Sequence, residues 1–113
     1  MEYTAEIKNG ILVLSLNGDL IGEVKGPQLL EEVNNALNQG VVLCAVDISE
    51  VRYINSSGIG VLITVLTKFR NKDGELCLLK PSESVKKLLI ITKLNAIFTI
   101  VDTQEEAETA LKN

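Results

Sequence analysis

The sequence predicts an α/β fold in a single domain spanning residues 1–113. The expected architecture is a mixed five-stranded sheet, an N-terminal antiparallel hairpin followed by parallel βαβ units, with four helices. Three observations predict it. Two strand-like stretches flank Asn9-Gly10, a pair that tolerates the positive φ angles of a tight hairpin turn. Val41 to Val46 is an unbroken apolar run of strand length, as expected of a strand covered on both faces. A long stretch of helical spacing separates it from a second strand-like piece at 75 to 80, and a strand, helix, strand order calls for a right-handed parallel crossover.

In the first strand Tyr3, Ala5 and Ile7 alternate with Thr4, Glu6 and Lys8; the second, Ile11 to Leu16, is apolar apart from Ser15. Gly18-Asp19-Leu20 reads as a turn leading through Ile21 into a loop. Pro27 suits the first turn of a helix, because its fixed φ is helical and its missing N–H has no partner there anyway. Leu29, Leu30, Val33, Ala36 and Leu37 give that helix its apolar face, and Gly40 ends it. After the strand at 41–46, Ile59, Leu62, Ile63, Leu66 and Phe69 mark the inward face of a long second helix. Lys68, Arg70 and Lys72 precede Asp73-Gly74, where the helix should end and its dipole favours cations. Pro81-Ser82 opens a short helix carrying Val85, Leu88 and Leu89, and Ile97 to Val101 forms the last strand. Thr103 and Glu106 have capping-box spacing, so 104 to 111 should be a final helix with Ala107, Ala110 and Leu111 facing in.

A chain of 12.3 kDa should bury about two thirds of its surface on folding, leaving roughly 6,100 Å² exposed, so a core needs neither disulfide nor metal. The sequence holds no histidine, which removes Ser-His-Asp and Cys-His triads and histidine zinc sites. The formal charge of −4 is uneven. Residues 1 to 50 hold 2 cations and 8 acids (−6), 51 to 101 hold 8 and 3 (+5), and 102 to 113 hold 1 and 4 (−3). Few aromatics and a negative total argue against direct nucleic-acid binding. Cys44 and Cys77 lie in separate apolar runs without redox or zinc spacing, and are expected as buried, reduced thiols. No apolar run is long enough to insert in a membrane and no signal-type start is present, so a cytoplasmic protein is expected.

The informative stretch is Asp47-Ile48-Ser49-Glu50-Val51-Arg52-Tyr53-Ile54-Asn55-Ser56-Ser57-Gly58-Ile59-Gly60, expected to connect the central strand to the long helix. The carboxyl end of a parallel strand is where α/β folds place sites, and small residues at a helix start leave N–H groups open to anions. The dinucleotide fingerprint lacks its third glycine, a P-loop lacks Gly-Lys-Ser/Thr, and Ile54 stands where a nucleophile elbow needs glycine. Asp47, Asp19 and Glu23 are the nearest acids but form no evident acid–base pair. On the residues alone, the plainer reading of Ser56 is an N-cap, ahead of an exposed hydroxyl at an anion-attracting helix end.

The segment resembles the signature of the STAS domain family, named for sulfate transporters and anti-sigma-factor antagonists, and is most similar to the small stand-alone bacterial antagonists. The likeness covers nearly the whole chain, through the hairpin, Gly18-Asp19-Leu20, the signature, Gly74, and Val85-Lys86-Lys87-Leu88-Leu89 on to Leu94 and Ile97-Phe98. It implies a regulatory binding module controlled by phosphorylation. The unphosphorylated antagonist would bind an anti-sigma factor that is a serine kinase of the ATPase fold, releasing the sigma factor for transcription. The kinase would phosphorylate Ser56, the first hydroxyl of the core, and a serine phosphatase would reverse it. Asp19, Asn55, Ser56, Ser57, Gly58, Ile59 and Gly60 would form the partner- and anion-binding loop, with no cofactor, metal or catalytic residue. Two positions depart from the family pattern. Asn55 stands where Asp is common, and Ile21 where an acid commonly follows Gly-x-Leu. Two other functions stay open: a stand-alone STAS subunit of a signalling scaffold or lipid transporter, and an enzyme acting on a small phospho-ligand or nucleotide.

Overall fold

Backbone hydrogen bonding in the computed structural model, which describes residues 2–21 and 26–112, joins five strands in the order of the chain. They are β1 (Glu2–Lys8), β2 (Ile11–Leu20), β3 (Leu43–Ile54), β4 (Glu75–Leu79) and β5 (Thr99–Val101). β1 and β2 are antiparallel, and every later neighbour pair is parallel. Asn9 and Gly10 take φ of 53° and 79°, the left-handed pair on which the tight hairpin depends. Helices α1 (Gly26–Asn38), α2 (Ser56–Arg70) and α3 (Glu83–Ile91) make the three parallel crossovers, and α4 (Gln104–Lys112) closes the chain. Each crossover steps to the next strand in the same direction, so right-handed connections place α1, α2 and α3 on one face.

Strand alternation builds two cores from this arrangement. Leu12, Leu14 and Leu16 of β2, Cys44, Val46 and Ile48 of β3, and Leu76 and Leu78 of β4 face the three crossover helices. Ile11, Val13, Ala45, Cys77 and Leu79 point the other way, onto Ala107 and Leu111 of α4. The folded surface is 6,040 Å², close to what the mass requires. Polar local bonds set the helix starts: the Ser82 hydroxyl accepts from the Val85 N–H at 3.3 Å, and Thr103 accepts from the Glu106 N–H at 3.1 Å. The Glu106 carboxylate reaches back one residue further than in a standard capping box, to the Asp102 N–H at 3.0 Å. Past the other end of α2, a Cβ on Gly74 would overlap the carbonyl oxygen of Val42, so only glycine lets the chain turn into β4 there.

The structure corrects the sequence reading in several places. β3 starts at Leu43, later than Val41, and runs 12 residues to Ile54, so residues 47 to 54 are strand and not a connection. Gly18, Asp19 and Leu20 are likewise the end of β2, paired alongside. Register shifts between Ser15 and Asn17 and between Gly18 and Asp19 break the period of two: Ile48, Val51 and Ile54 are buried at spacings of three, a pattern that hides a strand. β5 is only Thr99–Val101, because a 3₁₀ turn at Leu94–Ala96 occupies the chain just before Ile97. Ile63 is 37% exposed, since the buried face of α2 centres on Leu62, Val65, Leu66 and Phe69. Ala110 is exposed for a similar reason, lying off the Ala107–Leu111 line of α4. Glu23 falls in residues 22–25, outside the described residues.

Both cysteines are free and buried, on opposite faces of the sheet. Burial pushes the Cys77 thiol from 9.0 to about 11, with the Glu75 carboxylate adding to the rise, and burial holds Cys44 well above its ordinary value. The folded state therefore keeps these thiols neutral where an unfolded chain ionises them, so their stabilising contribution is complete below pH 9.0 and is lost as pH climbs toward 11. Urea titrations should show that fall, and a disulfide thiol reagent at pH near 8 should label neither cysteine until the chain is unfolded. In the same assay Leu66→Ala should cost about 2–5 kcal/mol, and Ile63→Ala less than about 1 kcal/mol.

Candidate functional site

β2 and β3 end side by side, with Leu20 paired to Ile54, and the chain turns directly from there into α2. Asn55 makes the turn. Its N–H donates to the Leu20 carbonyl at 3.3 Å, its side-chain oxygen accepts from the Gly58 N–H at 2.8 Å, and its own carbonyl accepts from Ile59 at 2.9 Å. The N-cap is thus Asn55, with extended backbone at φ −99° and ψ −178°, and not Ser56. Gly58 is buried against the same Leu20 carbonyl, which any Cβ at that position would overlap, whereas a Cβ on Gly60 would meet nothing. One glycine of the pair is a steric necessity. The other leaves an open surface.

Ser56 and Ser57 become the first two residues of α2, both exposed. The third and fourth N–H groups of the helix are taken by Asn55, so the donors left for a ligand are those of Ser56 and Ser57. Asp19 is half-buried and bonded to Arg52, Oδ1 to Nη2 at 3.3 Å, a surface pair worth at most about 1 kcal/mol. The Asp47 carboxylate accepts from the Ser49 N–H at 2.9 Å, which explains it as the residue that shapes the first irregularity of β3. Among the described residues no cluster of ligating side chains could hold a metal ion, and both thiols are buried.

Three apolar side chains around this start were not singled out for a site in the sequence. Tyr53 is 56% exposed at the end of β3, Ile21 is exposed just past β2, and Ile63 is exposed two turns along α2. For Tyr53 the signal was the alternation of outward Tyr53 with buried Ile54, masked by the register shifts. The surface therefore joins two serine hydroxyls, two open N–H donors, the Asp19–Arg52 pair and a few apolar side chains.

Comparison with known proteins agrees with the geometry. The model of the STAS domain matches residues 2–107. The chain belongs to the STAS domain family. A Thermotoga neapolitana protein named as a candidate anti-sigma factor antagonist is 35% identical over 107 residues, 93% of each chain. The anti-sigma-B factor antagonist of Listeria monocytogenes is 33% identical over 70 residues, 62% of this chain and 60% of that one. The solved structure of a candidate anti-sigma factor antagonist from Thermotoga maritima superposes with a TM-score of 0.86 at 27% identity, covering 98% of this chain and 95% of the other. The mixed sheet and four helices are the STAS fold, and the signature is the strand end, cap and first helical turn just described. No helix among the described residues is long and apolar enough to cross a membrane.

The close approach at Leu20 makes Gly58→Ala the test of how this STAS site is built. It should destabilise the domain by about 1–3 kcal/mol in urea unfolding, while Gly60→Ala is neutral or stabilising by up to about 1 kcal/mol. Asn55→Ala should cost about 1 kcal/mol through the lost cap, and Asn55→Asp should retain the cap.

Proposed function

We propose that this STAS domain is an anti-sigma-factor antagonist whose partner surface is the start of α2, switched by phosphorylation of Ser56. The unphosphorylated form binds an anti-sigma factor that is a serine kinase of the ATPase fold, and sigma factor is released. The observation that carries this reading is the position of Ser56, exposed as the first residue of α2 beside open N–H donors. Support also comes from relatives that are named antagonists over most of the chain.

The chemistry asks little of this chain. A kinase supplies base, metal and nucleotide, so an acceptor hydroxyl needs exposure and a fixed backbone, and Asn55 with Gly58 provides the second. The phosphate adds about −1.5 to −2 charge where the helix dipole and the Ser56 and Ser57 N–H groups favour an anion, so the fold is retained. At the partner the same charge acts differently. Inside an interface that covers Asp19, Tyr53, Ile59 and Gly60 it is desolvated and faces whatever matched the neutral hydroxyl, which costs several kcal/mol and releases the complex. Asn55, with a neutral cap where the family commonly has Asp, adds no like charge beside the phosphate. The protein is on this reading a cytoplasmic regulator and kinase substrate, not an enzyme, restored by a serine phosphatase.

Incubation with the cognate kinase and ATP should place one phosphate on Ser56 by peptide mass spectrometry. Ser56→Ala should abolish the modification and keep partner binding; Ser57→Ala should leave the modification largely intact. Ser56→Asp should weaken binding less than phosphoserine, since one carboxylate carries less charge and fewer acceptor oxygens. A phosphate found on Ser57 would overturn the residue assignment, and turnover of phosphoesters or nucleotides by the purified protein would overturn the non-enzymatic reading.

A further inference from the structure

Away from the α2 start the molecule carries an apolar knob bearing lysines and a groove of mixed polar and apolar lining bearing glutamates, and the partner surface proposed at Ser56 uses neither. The knob is the end of α3: Ile90 and Ile91 are 55% and 77% exposed, and Ile97, beyond the 3₁₀ turn, is 43% exposed. It is held firmly. The Thr92 hydroxyl donates to the Leu88 carbonyl at 2.7 Å, and the Arg70 guanidinium donates to the Ile97 carbonyl at 3.2 Å. Lys87 lies one helical turn before Ile90 and Ile91, and Lys93 follows them. Both lysines are exposed, and neither has an ion-pair partner among the described residues.

The groove lies between β1 and α1, an open depression of about 200 Å³ lined by Ala5, Ile7, Leu12 and Ala36 together with Asn35 and Gln39. Glu6 and Glu32 line it. Glu32 has no ion-pair partner among the described residues, and Glu6 has only an exposed pairing to Lys8 at 3.1 Å, which is easily exchanged. The groove is built from the half of the chain carrying −6 and the knob from the half carrying +5.

We propose that the chain self-associates head to tail, Ile90 and Ile91 of one molecule entering the β1–α1 groove of the next while Lys87 and Lys93 meet Glu6 and Glu32. A symmetric knob-to-knob contact would oppose lysines to lysines, so charge selects the unlike pairing. β1 and β5 are opposite edges of the sheet, with the groove against β1 and Ile97 leading into β5. Each contact thus leaves one free knob and one free groove, the condition for an open assembly. The patches are small, so the contact belongs to the weak, transient class and weakens with salt.

Sedimentation velocity on the full chain tests this at low salt, at concentrations up to about 1 mM. The weight-average sedimentation coefficient should rise with concentration, and fall again as salt is added. Ile91→Ser should weaken association about tenfold or more with its thermal melt unchanged. The Lys87→Glu/Lys93→Glu and Glu6→Lys/Glu32→Lys chains should each sediment as monomers, and an equal mixture of the two should associate. Ser56→Asp should leave all of this unaltered, which separates the proposal from the regulatory reading. A monomer at every concentration would overturn it, as would association indifferent to both charge exchanges. A knob that engages anionic phosphatidylserine vesicles or an acidic amphipathic peptide while the chain stays monomeric would give the surface to another occupant and equally overturn it.

Discussion

The start of α2 rests on the carbonyl oxygen of Leu20, and the rest of the site follows from that contact. Only glycine at 58 allows the approach, because any Cβ would overlap the oxygen. Once the helix is seated there, the Asn55 carbonyl and side chain take the fourth and third N–H groups, and the first two remain for whatever arrives from outside. Exposure of Ser56 is a consequence of this geometry and needs no further support from side chains. Backbone contacts also make the site tolerant. Tyr53 and Ile21 are exposed beside this frame, and a Cβ on Gly60 would meet nothing, so the surface can vary there without disturbing the backbone contacts beneath it.

Much of this fold was legible in the sequence because the physics was local. Asn9-Gly10 carried its own turn, Thr103 and Glu106 their own cap, and the short apolar runs around 43–46 and 76–79 read as covered strands. What stayed hidden was tertiary in origin. The end of β3 departs from the period of two because β2 runs beside it with two shifts of register, and no spacing rule applied to β3 alone reports its neighbour. Ile63 and Ala110 were misread for a related reason. A residue at the margin of an apolar stripe is buried or not according to what packs over it, and Ile63 and Ala110 are both left exposed.

At the site the balance was different. The small residues and their order were visible, and with them the helix start, Ser56 and Gly58. The cap was assigned only by structure, since Asn55 and Ser56 are both competent N-caps and the choice depends on where β3 stops. Arg52 and Tyr53 gain their placement only from the strand that β3 forms up to Ile54. Asp19, expected in a turn, instead sits on β2 in an ion pair with Arg52 across the sheet, tied to the strand bed on which α2 begins.

The two ends of α2 have a joint consequence for timing. Gly58 meets the Leu20 carbonyl at one end, and beyond the other Gly74 meets the Val42 carbonyl while donating its own N–H to Phe69 at 2.8 Å. Main-chain contacts therefore fix the chain on both sides of the helix, against the end of β2 where it starts and against the residue before β3 beyond its last turn. On the proposed reading, a phosphate on Ser56 would add its charge to a helix start already held in place, with no rearrangement of the fold required. The tempo of the proposed switch would then be set outside this chain, by how quickly a kinase or phosphatase acts and how quickly a partner diffuses away.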